Sequence, residues 1–134
     1  MSDVRPEWYQ LRDALEQVDF VTAAALVEKD PPLIDERNRI GETVLHFLAV
    51  ENNQAAVEWL HARRADLNAT NKFGTPLLFE VAQLGYRDLL VWLLQHGADP
   101  TKKKSDGQSL DEHLAEFGET DMIAFIKEHV RPTA

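Results

Sequence analysis

No cysteine occurs in these 134 residues. That excludes a disulfide framework, thiolate zinc ligands and a cysteine nucleophile together. Nor is there an apolar run long enough to span a membrane, and Met1–Glu7 has no apolar core of a leader peptide; the expected compartment is the cytoplasm. Positive charge is scarce, with 14 Lys and Arg against 23 Asp and Glu and a net charge of −9. A nucleic-acid backbone demands concentrated basic residues, so it is a poor candidate partner. Catalytic motifs are missing as well: no nucleophile elbow, phosphate loop or dinucleotide fingerprint occurs. The five histidines, at 46, 61, 96, 113 and 129, include no pair at a metal-binding spacing. Asp111 and Glu112 are adjacent carboxylates, but they open a helix, where negative charge favours the macrodipole. The chain therefore reads as a non-enzyme without cofactor or metal.

What is there is a period. Gly41, Gly74 and Gly107 are spaced by 33 and again by 33. The same shift superimposes Leu45 on Leu78, Ala49 on Ala82 and Ala115, and Val57 on Leu90 and Ile123. Trp59 falls on Trp92 and Phe125, and Ala65-Asp66 on Ala98-Asp99. So many apolar columns in phase mark a structural repeat. Within a unit, the apolar residues from Leu45 to Val50 suit a short buried helix. Asn52-Asn53, Gly85-Tyr86 and Gly118-Glu119 then supply a tight turn. A second helix follows, with Ala56, Val57 and Leu60, or Leu89, Leu90, Leu93 and Leu94, at helical spacing. Gly97 suits a left-handed helix end, and Ser109 with Glu112 reads as a capping box. No such unit buries its apolar face alone, so the units must stack.

The outer segments read as caps. Pro6 suits the first position of a helix, with Trp8, Leu11, Leu15 and Val18 on one side. Phe20 to Lys29 reads as a second helix stopped by Pro31-Pro32, and Met122, Ile123, Ile126 and Val130 form a last apolar stripe. Acids outnumber bases 9 to 4 over residues 1–38 and 7 to 2 over residues 105–134, which gives both ends the polar outer face that a terminal repeat needs.

Two stretches carry a resemblance. Gly41-Glu42-Thr43-Val44-Leu45-His46 is similar to the G-x-T-P-L-H signature of the ankyrin-repeat family, and Gly74-Thr75-Pro76-Leu77-Leu78 is a second copy. Leu93-Leu94-Gln95-His96-Gly97-Ala98-Asp99-Pro100 resembles that family's unit ending, as does Ala65-Asp66-Leu67-Asn68, with Arg64 where glycine is usual. The likeness extends over roughly residues 10–130. It implies an all-α solenoid of stacked helix-turn-helix units with short loop connections, one domain over 1–134. Its units would be an N-terminal cap at 6–37, repeats at 38–70 and 71–103, and a C-terminal cap at 104–130. The third unit departs from the pattern, since Thr75-Pro76 directly follows Gly74. Either the helix shifts by one residue or the turn differs, and Glu80 takes a normally apolar position. His113 lies in the equivalent place one unit later, so the two side chains are expected to meet. His46 is expected to hydrogen-bond neighbouring backbone and tie units together.

The resemblance also implies a function, the binding of another protein in a concave groove of loop tips and first helices. The loop-tip positions that match are Arg39, Ile40 and Glu42, then Lys72, Phe73 and Thr75, then Ser105, Asp106 and Gln108. The first-helix positions are Val50 and Glu51, Gln83 and Leu84, and Glu116 and Phe117. Of these, Ile40, Phe73, Leu84 and Phe117 are large apolar groups that folding does not require there, the composition of an interface anchor. Trp59, Trp92 and Phe125 read instead as a stacked ladder, and Lys102-Lys103-Lys104 as a solvated loop. An adaptor, monomeric and without nucleic acid or membrane, is the first reading. A dedicated inhibitor or immunity protein neutralising a basic toxin or enzyme is the alternative, suggested by the acidic chain.

Overall fold

Four of the helices begin where a side chain offers an oxygen to an orphan backbone N–H. Asp19 accepts from the N–H of Thr22, Thr43 from that of His46, and Asn53 from that of Ala56. Ser109 accepts from Glu112, and Glu112 answers the backbone of Ser109, closing the capping box read from the sequence. A computed structural model describes residues 5–130, so the first four residues of the stretch read against a leader lie outside it. Among the described residues there are eight α-helices and no strand. They are α1 (Pro6–Glu16), α2 (Phe20–Lys29), α3 (Val44–Val50), α4 (Gln54–His61), α5 (Leu77–Gln83), α6 (Arg87–Gln95), α7 (Leu110–Glu116) and α8 (Thr120–His129). A 3-10 turn, Pro31–Asp35, follows α2. None of the helices is long and apolar enough to cross a membrane.

The helices pair as α1 with α2, α3 with α4, α5 with α6 and α7 with α8, and first helices pack in a row, α1 on α3 on α5 on α7. One continuous apolar core results, from Trp8 and Leu11 through Leu48, Leu60, Phe79 and Leu93 to Leu114 and Ile126. Gly41, Gly74 and Gly107 share one backbone geometry, at φ of 78°, 78° and 89°. The 33-residue interval is therefore structural and the solenoid is real.

The third unit keeps its register. Helices α3, α5 and α7 start at Val44, Leu77 and Leu110, so Thr75 stands where Glu42 does and Pro76 replaces the capping Thr43. The helix does not shift and the turn keeps its shape, with the same left-handed glycine at φ 78°; only the capping residue changes. The substitution removes a cap: Pro76 is extended, at φ −64° and ψ 147°, and gives α5 no side-chain hydrogen bond.

Val18 is a correction. It lies beyond α1, largely exposed, in the left-handed region at φ 57°. It stands two residues before a second helix, as Asn52, Gly85 and Gly118 do. The turn dictates that conformation, and a β-branched residue tolerates it poorly.

Candidate functional site

The three loops between units are built by side chains folded back on their own backbone. Asn38 Oδ1 accepts the N–H groups of Ile40 (3.1 Å) and Glu42 (2.9 Å). One unit later Asn71 Oδ1 accepts those of Phe73 (2.9 Å) and Thr75 (3.2 Å). In the last loop Lys104 occupies the asparagine column, and Asp106 takes over by accepting from Gln108 (2.9 Å). Asn is suited to such turns because its amide mimics a backbone turn. Neighbouring loops are then joined. The Lys72 N–H donates to the Ile40 carbonyl at 2.8 Å, and Ser105 Oγ donates to the Phe73 carbonyl at 3.0 Å. Tyr86 adds a tie deeper in, its hydroxyl donating to the Val50 carbonyl at 3.0 Å.

This scaffold points apolar groups at solvent. Ile40 is 44% exposed, Leu84 48%, Phe117 52% and Phe73 64%. Arg39, Lys72, Glu51, Ser105, Asp106 and Glu116 are exposed too, while Val50, Thr75, Gln83 and Gln108 are half-buried. Several are already engaged: Gln108 Nε2 donates to Glu116 at 2.6 Å, and Gln83 Oε1 pairs with His113 Nε2 at 2.8 Å. Glu42 corrects its assignment to an open loop tip. It is only 5% exposed, because its position turns inward above α3.

Glu42 belongs instead to a group that the sequence pattern did not assemble. His46 is fully buried, and its Nε2 lies 2.7 Å from Glu80 Oε1 and 3.7 Å from Glu42 Oε2. This overturns two expectations. His46 ties its unit to the next through a carboxylate and not through backbone, and Glu80 reaches back to His46 while His113 turns to Gln83. The reason is the register: with no shift in α5, Glu80 faces the helix before it. Burial pushes the Glu42 carboxyl above its ordinary range, with Glu80 adding to the effect and His46 and Asn38 opposing it. Glu16 is raised likewise, by burial first and then by a hydrogen bond with Glu51.

The ligand atoms of Glu42, His46 and Glu80 lie within 4.8 Å of one another, close enough to hold a metal ion. The outer shell argues against that use. A ligating histidine almost always donates its other ring N–H, and His46 Nδ1 is buried without a partner. A His46–Glu80 hydrogen bond with the Glu42 carboxylate 3.7 Å alongside describes the triad better.

Above the triad opens a hollow of about 550 Å³, walled by Ile40, Phe47, Val50 and Tyr86, with Glu42, Glu51 and Glu80 contributing carboxylates. Sequence reasoning missed Phe47 and Tyr86 here, and only the polar residue at an apolar position, Glu80, signalled the place.

The second helices carry the other aromatic column. Trp59 stacks on Phe20 (6.1 Å between centroids) under the Arg63 guanidinium, and Trp92 stacks on His96 (4.1 Å). The ladder exists, but in separate rungs. The lysine run is less solvated than its composition suggests, since Lys102 Nζ donates to the Asn68 carbonyl and Lys104 Nζ to Gln108, both at 2.8 Å.

Residues 45–94, from the first turn of α3 nearly to the end of α6, match the family model described as ankyrin repeats (many copies). No curated protein matches the chain.

Proposed function

The chain carries ankyrin repeats, modules that generally bind other proteins, and from that premise we propose that it acts without catalysis by holding a partner protein on its loop tips and first helices. The observation that carries this reading is the row of Ile40, Phe73, Leu84 and Phe117, four large apolar side chains exposed at two loop tips and at the ends of α5 and α7. Single exposed apolar groups need no explanation, but four on corresponding positions of three successive units do. The loops are preformed by their own hydrogen bonds, so little ordering cost falls on binding. An interface across three units would bury about 800 Å² on each side, the standard size.

The net charge of −9 and the carboxylates in the hollow favour a basic partner, which keeps the inhibitor of a basic enzyme as the second reading. Phe73→Ala with Leu84→Ala tests the surface. Proteins captured from native lysate by the wild type should be lost, with the melting temperature nearly unchanged because neither side chain is in the core. Undiminished capture by the double variant rejects the surface.

A further inference from the structure

The hollow between Ile40 and Tyr86 is more specific than the surface around it, and the inference it carries rests on the protein-binding reading above. None of the seven residues that line it is cationic, and three are carboxylates. Glu42 is nine-tenths buried, yet its Oε1 takes only a long 3.4 Å bond from Asn38, and its Oε2 stands 3.7 Å from His46, beyond hydrogen-bond reach. Glu80 keeps a quarter of its side chain exposed while His46 Nε2 and Asn71 Nδ2 hold its Oε1. A buried carboxylate short of donors is costly unless a cation supplies them. The walls decide which cation. Apolar groups and the Tyr86 ring suit an aliphatic stem and a flat head group, as the Phe47 ring already takes the chain's own Arg12 guanidinium at 5.4 Å, whereas a hydrated ion gains nothing from them.

We infer that this hollow receives an arginine side chain of the bound partner, its stem against Ile40 and Val50 and its guanidinium against Glu42 and Glu80. A guanidinium brings five donors in a planar fork, matching two carboxylates at once. An ammonium matches the charge and not the shape.

The test uses a phage-displayed library of random twelve-residue peptides selected on the full chain. Peptides that bind the wild type and lose binding to Phe73→Ala are groove-bound, and these should be enriched in arginine at one position. Replacing that arginine by alanine should weaken binding roughly tenfold or more on the wild type, and replacing it by lysine should weaken it as well. On Glu80→Gln the same arginine-to-alanine change should cost little. Because Glu80 also holds His46 and Asn71, Glu42→Gln is the second variant, with melting temperature checked for both. Groove-bound peptides with no fixed arginine, or with lysine preferred, overturn this inference and leave the protein-binding surface standing. An arginine whose loss costs as much on both variants as on the wild type also overturns it. Failure to recover any Phe73-dependent peptide overturns the inference and the surface together.

Discussion

Gly41 and Gly107 stand in loops of the same backbone shape with opposite surroundings. A Cβ added to Gly41 would lie 2.5 Å from the Lys72 backbone nitrogen, whereas at Gly107 it would meet nothing among the described residues within 4 Å. Gly74 sides with Gly41, since its Cβ would lie 2.5 Å from Ser105 Oγ and 2.6 Å from Ser105 Cβ, and no rotation of that side chain moves its Cβ away. Stacking makes the difference: the loops at Gly41 and Gly74 have the next loop seated on their glycine, and the loop at Gly107 has none. One column of identical residues thus answers two demands. The left-handed φ is required at every member, but close approach only inside the stack. The terminal unit must find by local means the support that inner units draw from a neighbour.

Three substitutions sharpen that contrast. Gly41→Ala combines the left-handed penalty of roughly 1–2 kcal/mol with crowding of roughly 1–3 kcal/mol, a loss of about 2–5 kcal/mol. Gly74→Ala should lose a similar amount, and Gly107→Ala only about 1–2 kcal/mol from the backbone alone. Urea unfolding of the three variants side by side ranks them, and equal losses would erase the distinction between inner and terminal loops.

The next effect is smaller and sits at the terminal unit. Helix α7 begins with a complete capping box, while α5 begins at Pro76 with no side-chain cap and holds its place between neighbours on both sides. Ser109→Ala should therefore destabilise by about 1 kcal/mol, with hydrogen exchange rising first in α7 and α8. Exchange rising evenly along the chain would mean that the last unit is no more independent than the others.

The smallest effect is a pH dependence at the same junction. His113 lies between the rings of Phe79 and Phe117, at 5.3 and 5.0 Å between centroids, with Nε2 on Gln83 and Nδ1 buried without a partner. Burial holds its imidazole below the ordinary histidine range, and Lys104 adds to the shift. A histidine with a depressed pKa binds fewer protons folded than unfolded. Its contribution is complete above the unfolded value of about 6.5 and is lost as pH falls through the folded value. Glu42, being raised, works in the opposite sense within the carboxylate range, so it does not produce this loss. The melting temperature should fall from roughly pH 7.5 to roughly pH 5.5, and His113→Leu should flatten that fall. A slope unchanged by the substitution would assign the effect elsewhere.

Much of this was legible beforehand because it is local. The capping box at Ser109, the proline at the start of α1, the end of α2 before Pro31-Pro32 and the left-handed turns at Gly85 and Gly118 all depend on residues close in sequence. The exposed row of Ile40, Phe73, Leu84 and Phe117 was expected from the family resemblance, which assigns these positions to a groove, and all four are exposed. The partners of His46, Glu80 and His113 did not follow. Each has several candidates across a unit boundary, and a side chain a few ångströms long chooses among them by a rotation that the period does not encode.

The sequence by itself determined the 33-residue interval, the turns and the capping box, because turns and caps act within a few residues and the period repeats them. Only the tertiary structure decided that Glu42 turns inward, that Glu80 reaches back to His46, and that an acidic hollow opens beside Tyr86. Those outcomes depend on the register at which one helix pair settles on the next, where distances of less than a helical turn select the partner.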